Sequence, residues 1–213
     1  MRAMKIKSII PKPIRRAIKG LEARVKMATS AAQYSLLGTS TTNYKQIPII
    51  INNFNRLDYL QRLIASLESR GYTNIYIIDN CSTYPPLLEY YKHTPYKVFR
   101  LKRNIGYRAL WKSDIYNHFK RSYYVYTDVD MEIDPMCPDN FMERFIEVME
   151  RYPRCQKVGF GIRIDDLPEC YRNRQQVVKW ESQFWRNEIE AGLFRAQIDT
   201  TFALAPDSLI ISC

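Results

Sequence analysis

Two aspartates separated by one residue, Asp128 and Asp130, follow directly on the apolar run at residues 123–126. Where a chain leaves the end of a buried strand, carboxylates at this spacing can reach one ligand. Hard divalent cations such as Mn²⁺ or Mg²⁺ take oxygen ligands, and one or two carboxylates commonly leave their other positions to water and substrate phosphates. The chemistry that follows is neutralisation of a diphosphate and Lewis-acid stabilisation of its departure. An Asp-x-Asp triplet alone is weak, because loops are rich in aspartate; its position after a strand is what gives it weight. Arg103 and Arg108 flank Asn104-Ile105-Gly106. They suit the same phosphates as cationic contacts, with Gly106 allowing close backbone approach at a helix start. The structural alternatives are solvated surface charges and an ordinary turn.

Other metal chemistry has no support in the sequence. Cys81, Cys137, Cys155, Cys170 and Cys213 form no CxxC pair, an odd number cannot all pair within one chain, and His93 and His118 lie at no zinc-ligand spacing from a cysteine. Reduced thiols point to the cytoplasm, and any metal is expected on oxygen. No apolar stretch approaches the ~20 residues that span a bilayer, and the N-terminus lacks the apolar core of a secretory signal.

The elements that must position these residues begin near residue 46. A chain of 213 residues with 46% hydrophobic and 13% aromatic content can bury one sizeable core. Short apolar runs alternate with helical patterns, the mark of βαβ units around a mainly parallel sheet. The spacing predicts strands at 47–51, 75–78, 97–101, 123–126, 158–164 and 200–204. Helices are predicted at 57–67, ending by Gly71, at about 106–119, and at 141–149. Asn52, Asn53, Asp79, Asn80, Asn104, Asp128 and Asp130 all fall just after predicted strands, where an open α/β sheet builds its site.

Before this domain lies a different composition. Much of the net charge of +10 sits before residue 30, where nine basic residues face only Glu22. Ile14, Ile18, Leu21 and Val25 recur at helical spacing, so residues 1–45 read as a basic amphipathic arm with a Ser/Thr-rich linker at 39–43. Two readings stay open: an interfacial helix on anionic lipid at the inner membrane face, or a helix docking its apolar stripe on the core. The domain is expected over 46–213. Nucleic acid is not the expected partner, because the basic residues cluster in the arm instead of interleaving with aromatics along a sheet face, and no RNA- or DNA-binding motif is present.

Four ordered motifs carry a resemblance: Pro48-Ile49-Ile50-Ile51-Asn52-Asn53-Phe54-Asn55-Arg56, Ile77-Ile78-Asp79-Asn80-Cys81-Ser82-Thr83, Arg103-Asn104-Ile105-Gly106 and Tyr126-Thr127-Asp128-Val129-Asp130. Together they resemble family 2 glycosyltransferases. The resemblance implies a GT-A fold, a nucleotide-binding α/β sandwich with a mainly parallel sheet and flanking helices, over about residues 46–205. It further implies a nucleotide-sugar donor, UDP- or GDP-linked. Asp79 and the Asn52 and Asn53 region would touch base and ribose, and Asp128 and Asp130 would handle diphosphate and metal. Strand-end capping is the structural alternative for these residues. Gly159-Phe160, Ile164-Asp165-Asp166-Leu167-Pro168, Trp180-Glu181-Ser182-Gln183-Phe184-Trp185 and Ile198-Asp199-Thr200-Thr201-Phe202-Ala203-Leu204 are similar to a bacterial subgroup linked to surface polysaccharide synthesis. A saccharide or lipid-linked acceptor is implied. That subgroup's last strand is expected to run into a tail bearing an arginine and a histidine–tryptophan pair. This chain instead reads Ala205-Pro206-Asp207-Ser208-Leu209-Ile210-Ile211-Ser212-Cys213 after Leu204, so part of the acceptor side or a metal ligand is expected to be missing.

An inverting transfer needs a carboxylate at the acceptor hydroxyl, positioned first and tuned second. Asp199 at a strand entry comes first, then Glu181 between Trp180 and Trp185, which could stack on sugar faces; Asp165 and Asp166 follow. Each has a structural alternative, with the tryptophans in the core, Glu181 a helix-surface charge and Asp199 a turn cap. Two other functions compete: an inactive relative that binds nucleotide without turnover, and a sugar nucleotidyltransferase, whose glycine-rich loop is missing after Ile51.

Overall fold

The computed structural model describes residues 43–120, 122–198 and 201–206. Asp199 and all but the last three residues of the expected arm lie outside the described residues. β1 (Ile49–Asn53) is a run of isoleucines whose branched side chains suit a strand covered on both faces. α1 (Leu57–Glu68) buries Leu60, Leu63, Ile64 and Leu67, one helical stripe at the spacing read from the sequence. β2 (Ile75–Asp79) is followed by α2 (Pro85–His93), where Pro85 stands in the first turn and its missing N–H costs nothing. β3 (Lys97–Arg100) and β4 (Tyr124–Asp128) complete the first half. Then come α3 (Phe141–Arg151), β5 (Val158–Gly159), α4 (Arg174–Glu181), the hairpin of β6 (Glu188–Glu190) and β7 (Leu193–Phe194), and β8 (Ala203–Ala205).

The main sheet has the order β3-β2-β1-β4-β8-β5. β1 to β4 pair in parallel, and β8 runs antiparallel to both neighbours. Successive connections run outward from β1 to β2 to β3, and the chain then returns to place β4 on the other side of β1. The gap between β1 and β4 is thus the point where strand order reverses, the usual ligand crevice of an open α/β sheet. Alternation along the strands feeds two cores. Ile49, Ile51, Ile75, Ile77 and Val125 pack under α1, α2 and α3, whereas Ile50, Ile78, Tyr124 and Tyr126 pack against Ala109, Leu110, Ile115 and Phe119. Each such isoleucine or leucine, once buried, stabilises the fold by about 1.5–3 kcal/mol.

Two expected elements differ. The helix expected over 106–119 is a string of turns closed by a short 3-10 helix, Asp114–His118. Ser113 is extended, and its hydroxyl takes the carbonyls of Ala109 and Leu110 at 2.8 and 3.3 Å, offering the backbone an alternative to helical bonds. Gly106 therefore starts no helix. The strand expected over 158–164 stops at Gly159, which lies against β8: a Cβ there would stand 2.4 Å from the Phe202 carbonyl oxygen. Sequence periodicity also passed over α2, α4 and the β6–β7 hairpin.

Candidate functional site

The carboxyl ends of β2, β1 and β4 carry Asp79, Asn53, Asn52 and Asp128 in register: Asn53 pairs with Asp79 across β1 and β2, and Asn52 with Asp128 across β1 and β4. Because side chains alternate, consecutive residues serve opposite faces. Asn52 and Asp128 point to the face covered by residues 105–119, where the Asn52 amide donates to Asp128 Oδ1 at 3.5 Å. Asn52 and Asp128 are half-buried; Asp130, two residues on, is exposed. Tyr126, two residues before Asp128, has its hydroxyl pushed up in pKa by burial and then by the Asp128 charge, and it donates to the Tyr107 carbonyl at 2.7 Å.

On the opposite face the polar residues are wholly covered. Asp79 is 0% exposed. It accepts from Ser82 N at 3.1 Å, from the Tyr91 hydroxyl at 3.5 Å and from Arg100 Nε at 3.3 Å. The buried carboxylate thus has a cation and two hydrogen bonds, the condition for keeping a charge out of water. Burial, with the Asp79 charge behind it, raises the Tyr91 hydroxyl well above its ordinary range. Asn53, also 0% exposed, donates to Tyr91 Oη at 2.9 Å, and its Oδ1 has no partner among the described residues. Asp79 therefore meets the strand-end surface through Arg100, and Asn53 is tied to Asp79 through Tyr91.

The loops at these strand ends are interlocked. Asn55, with φ +56, accepts from Thr83 N and Tyr84 N at 2.8 and 3.0 Å, while its own N–H donates to Ser82 Oγ at 2.9 Å. Asparagine tolerates this left-handed conformation better than most residues. Cys81, at φ +68, is the second non-glycine in that region among the described residues. On the neighbouring turn, Arg103 and Asn104 are exposed and Arg108 is half-buried. Gly106 has φ +80, a conformation that side-chain-bearing residues rarely adopt, with no protein atom within 4 Å of a would-be Cβ.

For a cation, Asp128 and Asp130 offer hard oxygen at a strand end. Among the described residues no three His, Cys, Asp or Glu side chains form a metal-holding group. The donor set therefore fits Mn²⁺ or Mg²⁺ only in the mode that leaves several positions to water or phosphate.

The base candidates lie elsewhere on the chain. Glu181 is the half-buried last residue of α4. Asp165 is bonded by Arg163 at 2.8 Å and its carboxyl is held below the usual range by that bond; Asp166 lies 3.7 Å from the same guanidinium. Trp180 and Trp185 are 64% and 40% exposed, so neither is a core residue. Trp185 is nonetheless pinned, donating to the Ile162 carbonyl at 3.2 Å with its indole over Gly161. Asn55, Ser82, Tyr91 and Arg100 had no assigned role in the sequence. Only Asn55 carried a readable signal, an asparagine directly after a strand-end Asn-Asn-Phe.

A helix-flanked, mainly parallel sheet with polar side chains gathered at its carboxyl ends defines an α/β domain that takes ligands at the reversal of strand order. The sequence pattern of glycosyl transferase family 2 matches residues 49–204, and the chain belongs to that family; its sheet has the GT-A arrangement. No curated protein matches significantly. Among solved structures, the crystal structure of S. aureus TarS 1-349 is similar, with a TM-score of 0.39 and 16% identity over 58% of this chain. The matched part is 38% of that chain. Among the described residues no helix is long and apolar enough to cross a membrane.

Proposed function

We propose that this chain transfers a sugar, with inversion, from a UDP- or GDP-linked donor onto a saccharide or lipid-linked acceptor, with Mn²⁺ or Mg²⁺ at Asp128 and Asp130. The observation that supports this most is the register pairing of Asn52 with Asp128 across the β1–β4 reversal, with Asp130 exposed beside it, in a chain of this family. When bound, the cation would supply Lewis-acid stabilisation of the departing diphosphate.

The remaining roles belong to side chains. Asn52 lies with its amide 3.5 Å from Asp128 Oδ1, a contact that biases the carboxylate toward presenting its other oxygen without fixing it. The turn at Arg103, Asn104 and Gly106, with Arg108, meets the donor phosphates from the other side of the crevice, and guanidinium groups suit those oxygens. Asp79 supports the base end from beneath through Ser82 and Arg100, with Asn53 behind it through Tyr91. A base is then needed on the acceptor hydroxyl. Glu181 is the described candidate and Asp199 the alternative; Asp165 is a weaker base because Arg163 stabilises its ionised form. The basic arm ahead of the domain suits anionic lipid, the surface on which a lipid-linked acceptor resides.

Calorimetric titration with UDP and GDP, with and without Mn²⁺, followed by turnover on UDP-, GDP- and dTDP-sugars, tests this reading. The expected result is metal-dependent binding of one nucleotide and turnover of its sugar. Binding with no turnover across the panel would leave an inactive nucleotide-binding relative, and turnover indifferent to chelator would remove the metal.

A further inference from the structure

We propose that Asn80 is a positioning residue of the donor site, whose buried carboxamide fixes the turn at residues 104–106 against the ends of β1 and β2. The proposal rests on the reading of that turn as a donor contact. Asn80 follows β2 directly, is 2% exposed, and its own N–H donates to the Asn53 carbonyl at 2.8 Å, continuing the β1–β2 ladder. The residue is thus fixed by the sheet before its side chain does anything.

That side chain reaches across to a segment with no ladder of its own. Oδ1 accepts from Ile105 N at 2.8 Å, and Nδ2 donates to the Gly106 carbonyl at 3.0 Å. One carboxamide therefore satisfies the N–H of one residue and the C=O of the next, as a neighbouring strand would. Nδ2 also lies 3.5 Å from Asn52 Oδ1, and the Asn52 amide lies 3.5 Å from Asp128. Those last two contacts are at the limit of hydrogen bonding, so the hold on the turn dominates and the link to Asp128 is secondary. Ile105 packs against the core beneath it, whereas nothing of the protein lies where a Gly106 side chain would be, so at Gly106 the turn is held by its polar contacts. Further holds come from the Tyr126 hydroxyl on the Tyr107 carbonyl at 2.7 Å, from Ala109 N on the Gly106 carbonyl at 3.1 Å and from the Gly106 N–H on Asn104 Oδ1 at 2.9 Å, but of these only Tyr126 reaches in from the sheet. Loosening a preorganised loop raises the cost of ordering it on binding, and this falls on donor affinity more than on the chemical step.

The test compares wild type, Asn80→Ala and Asn80→Asp by donor KM, kcat, thermal unfolding and hydrogen exchange at the Ile105 amide. Asn80→Ala is expected to raise donor KM about tenfold with kcat within about twofold, the pattern of lost ground-state binding. Asn80→Asp keeps the acceptor for Ile105 but turns a carboxylate oxygen toward the Gly106 carbonyl in place of a donor, so its KM rises as well. Exchange at Ile105 should be about tenfold faster in Asn80→Ala, as expected for a lost hydrogen bond, and near wild type in Asn80→Asp. Wild-type KM in Asn80→Ala, or unchanged exchange at Ile105, would overturn the proposal; if Asn80→Ala does not fold, the KM of Asn80→Asp decides. A wild-type chain that turns over no donor would sink the glycosyl-transfer reading instead, and exchange at Ile105 would still report whether Asn80 holds the turn.

Discussion

The strand ends between residues 49 and 128 and the segment between 161 and 194 are held by different means. At the strand ends polar side chains are buried and partnered from within: Asp79 by Arg100, Ser82 and Tyr91, and Asn80 by the backbone of residues 105 and 106. The later segment is held from outside. Arg163 bonds Asp134 at 3.0 Å and Asp165 at 2.8 Å, Arg151 bonds Glu190 at 2.6 Å, and Trp185 packs 5.1 Å from Phe194. Exposed pairs of this kind each contribute between nothing and about 1 kcal/mol. A buried polar network fixes one geometry and tolerates little change, whereas surface pins leave the segment free to vary without disturbing the core. In the proposed reading that division suits an invariant diphosphate on one side and a changeable acceptor on the other.

The sharpest way to break the comparison is at Asp130. Asp130→Asn should lower Mn²⁺-dependent transfer on the order of 100-fold or more, the scale seen when a group stabilising developing charge is lost. Its thermal unfolding should hold, because the side chain is exposed. Full activity in that variant would remove the metal assignment.

Next in size is a contrast in stability. Leu60→Ala, in α1 at 0% exposure, should cost about 2–5 kcal/mol in urea unfolding, whereas Trp180→Ala should stay within about 0.5 kcal/mol. If α4 faces the acceptor, Trp180→Ala raises acceptor KM and leaves donor KM alone. A Trp180 variant as unstable as the Leu60 variant would mean that the later segment belongs to the core after all. Asn55→Ala loses two accepted bonds at a left-handed residue, and about 1–2 kcal/mol of stability is expected to go with them. Asn55→Gly should recover the part due to conformation alone.

The smallest effect concerns pH. Arg163 lowers the pKa of Asp165 from 3.8, and lowers Asp134 after the larger contribution of the Met136 N–H. A lowered folded pKa gives stability that is present above the unfolded value and lost as pH falls through the folded one. The melting temperature should therefore drop more steeply below about pH 4 in wild type than in Arg163→Gln, because the variant lacks the bond that protonation breaks. Parallel curves would show that these pairs add nothing.

Elements whose own residues declare a period were legible in the sequence. The isoleucine runs gave β1 and β2, the stripe from Leu60 to Leu67 gave α1, and the polar residues expected after strands do stand at the carboxyl ends of β1, β2 and β4. The limits were physical. α2 was hidden because its one buried residue is Leu87, too few to make a period. The expected helix after Gly106 failed because Ser113 diverts two carbonyls, a tertiary outcome invisible to spacing. The resemblance implies that Asp79 and Asn53 touch base and ribose, yet alternation turns their side chains into the covered face. Arg100 carried no signal in the sequence, and only the parallel register of β2 and β3 sets it opposite Asp79.

β8 has a consequence for how the chain is made. Ala203, Leu204 and Ala205 are buried and pair with β4 on one side, with Val158 and Gly159 on the other. During synthesis β1 to β4 leave the ribosome first, and β4 then presents an open hydrogen-bonding edge until residues 203–205 follow. Such an edge is a template for pairing with other nascent chains. A chain cut off before Ala203 is expected to leave that edge open and to aggregate, which gives β8 a part in keeping the domain in solution as well as in completing the sheet.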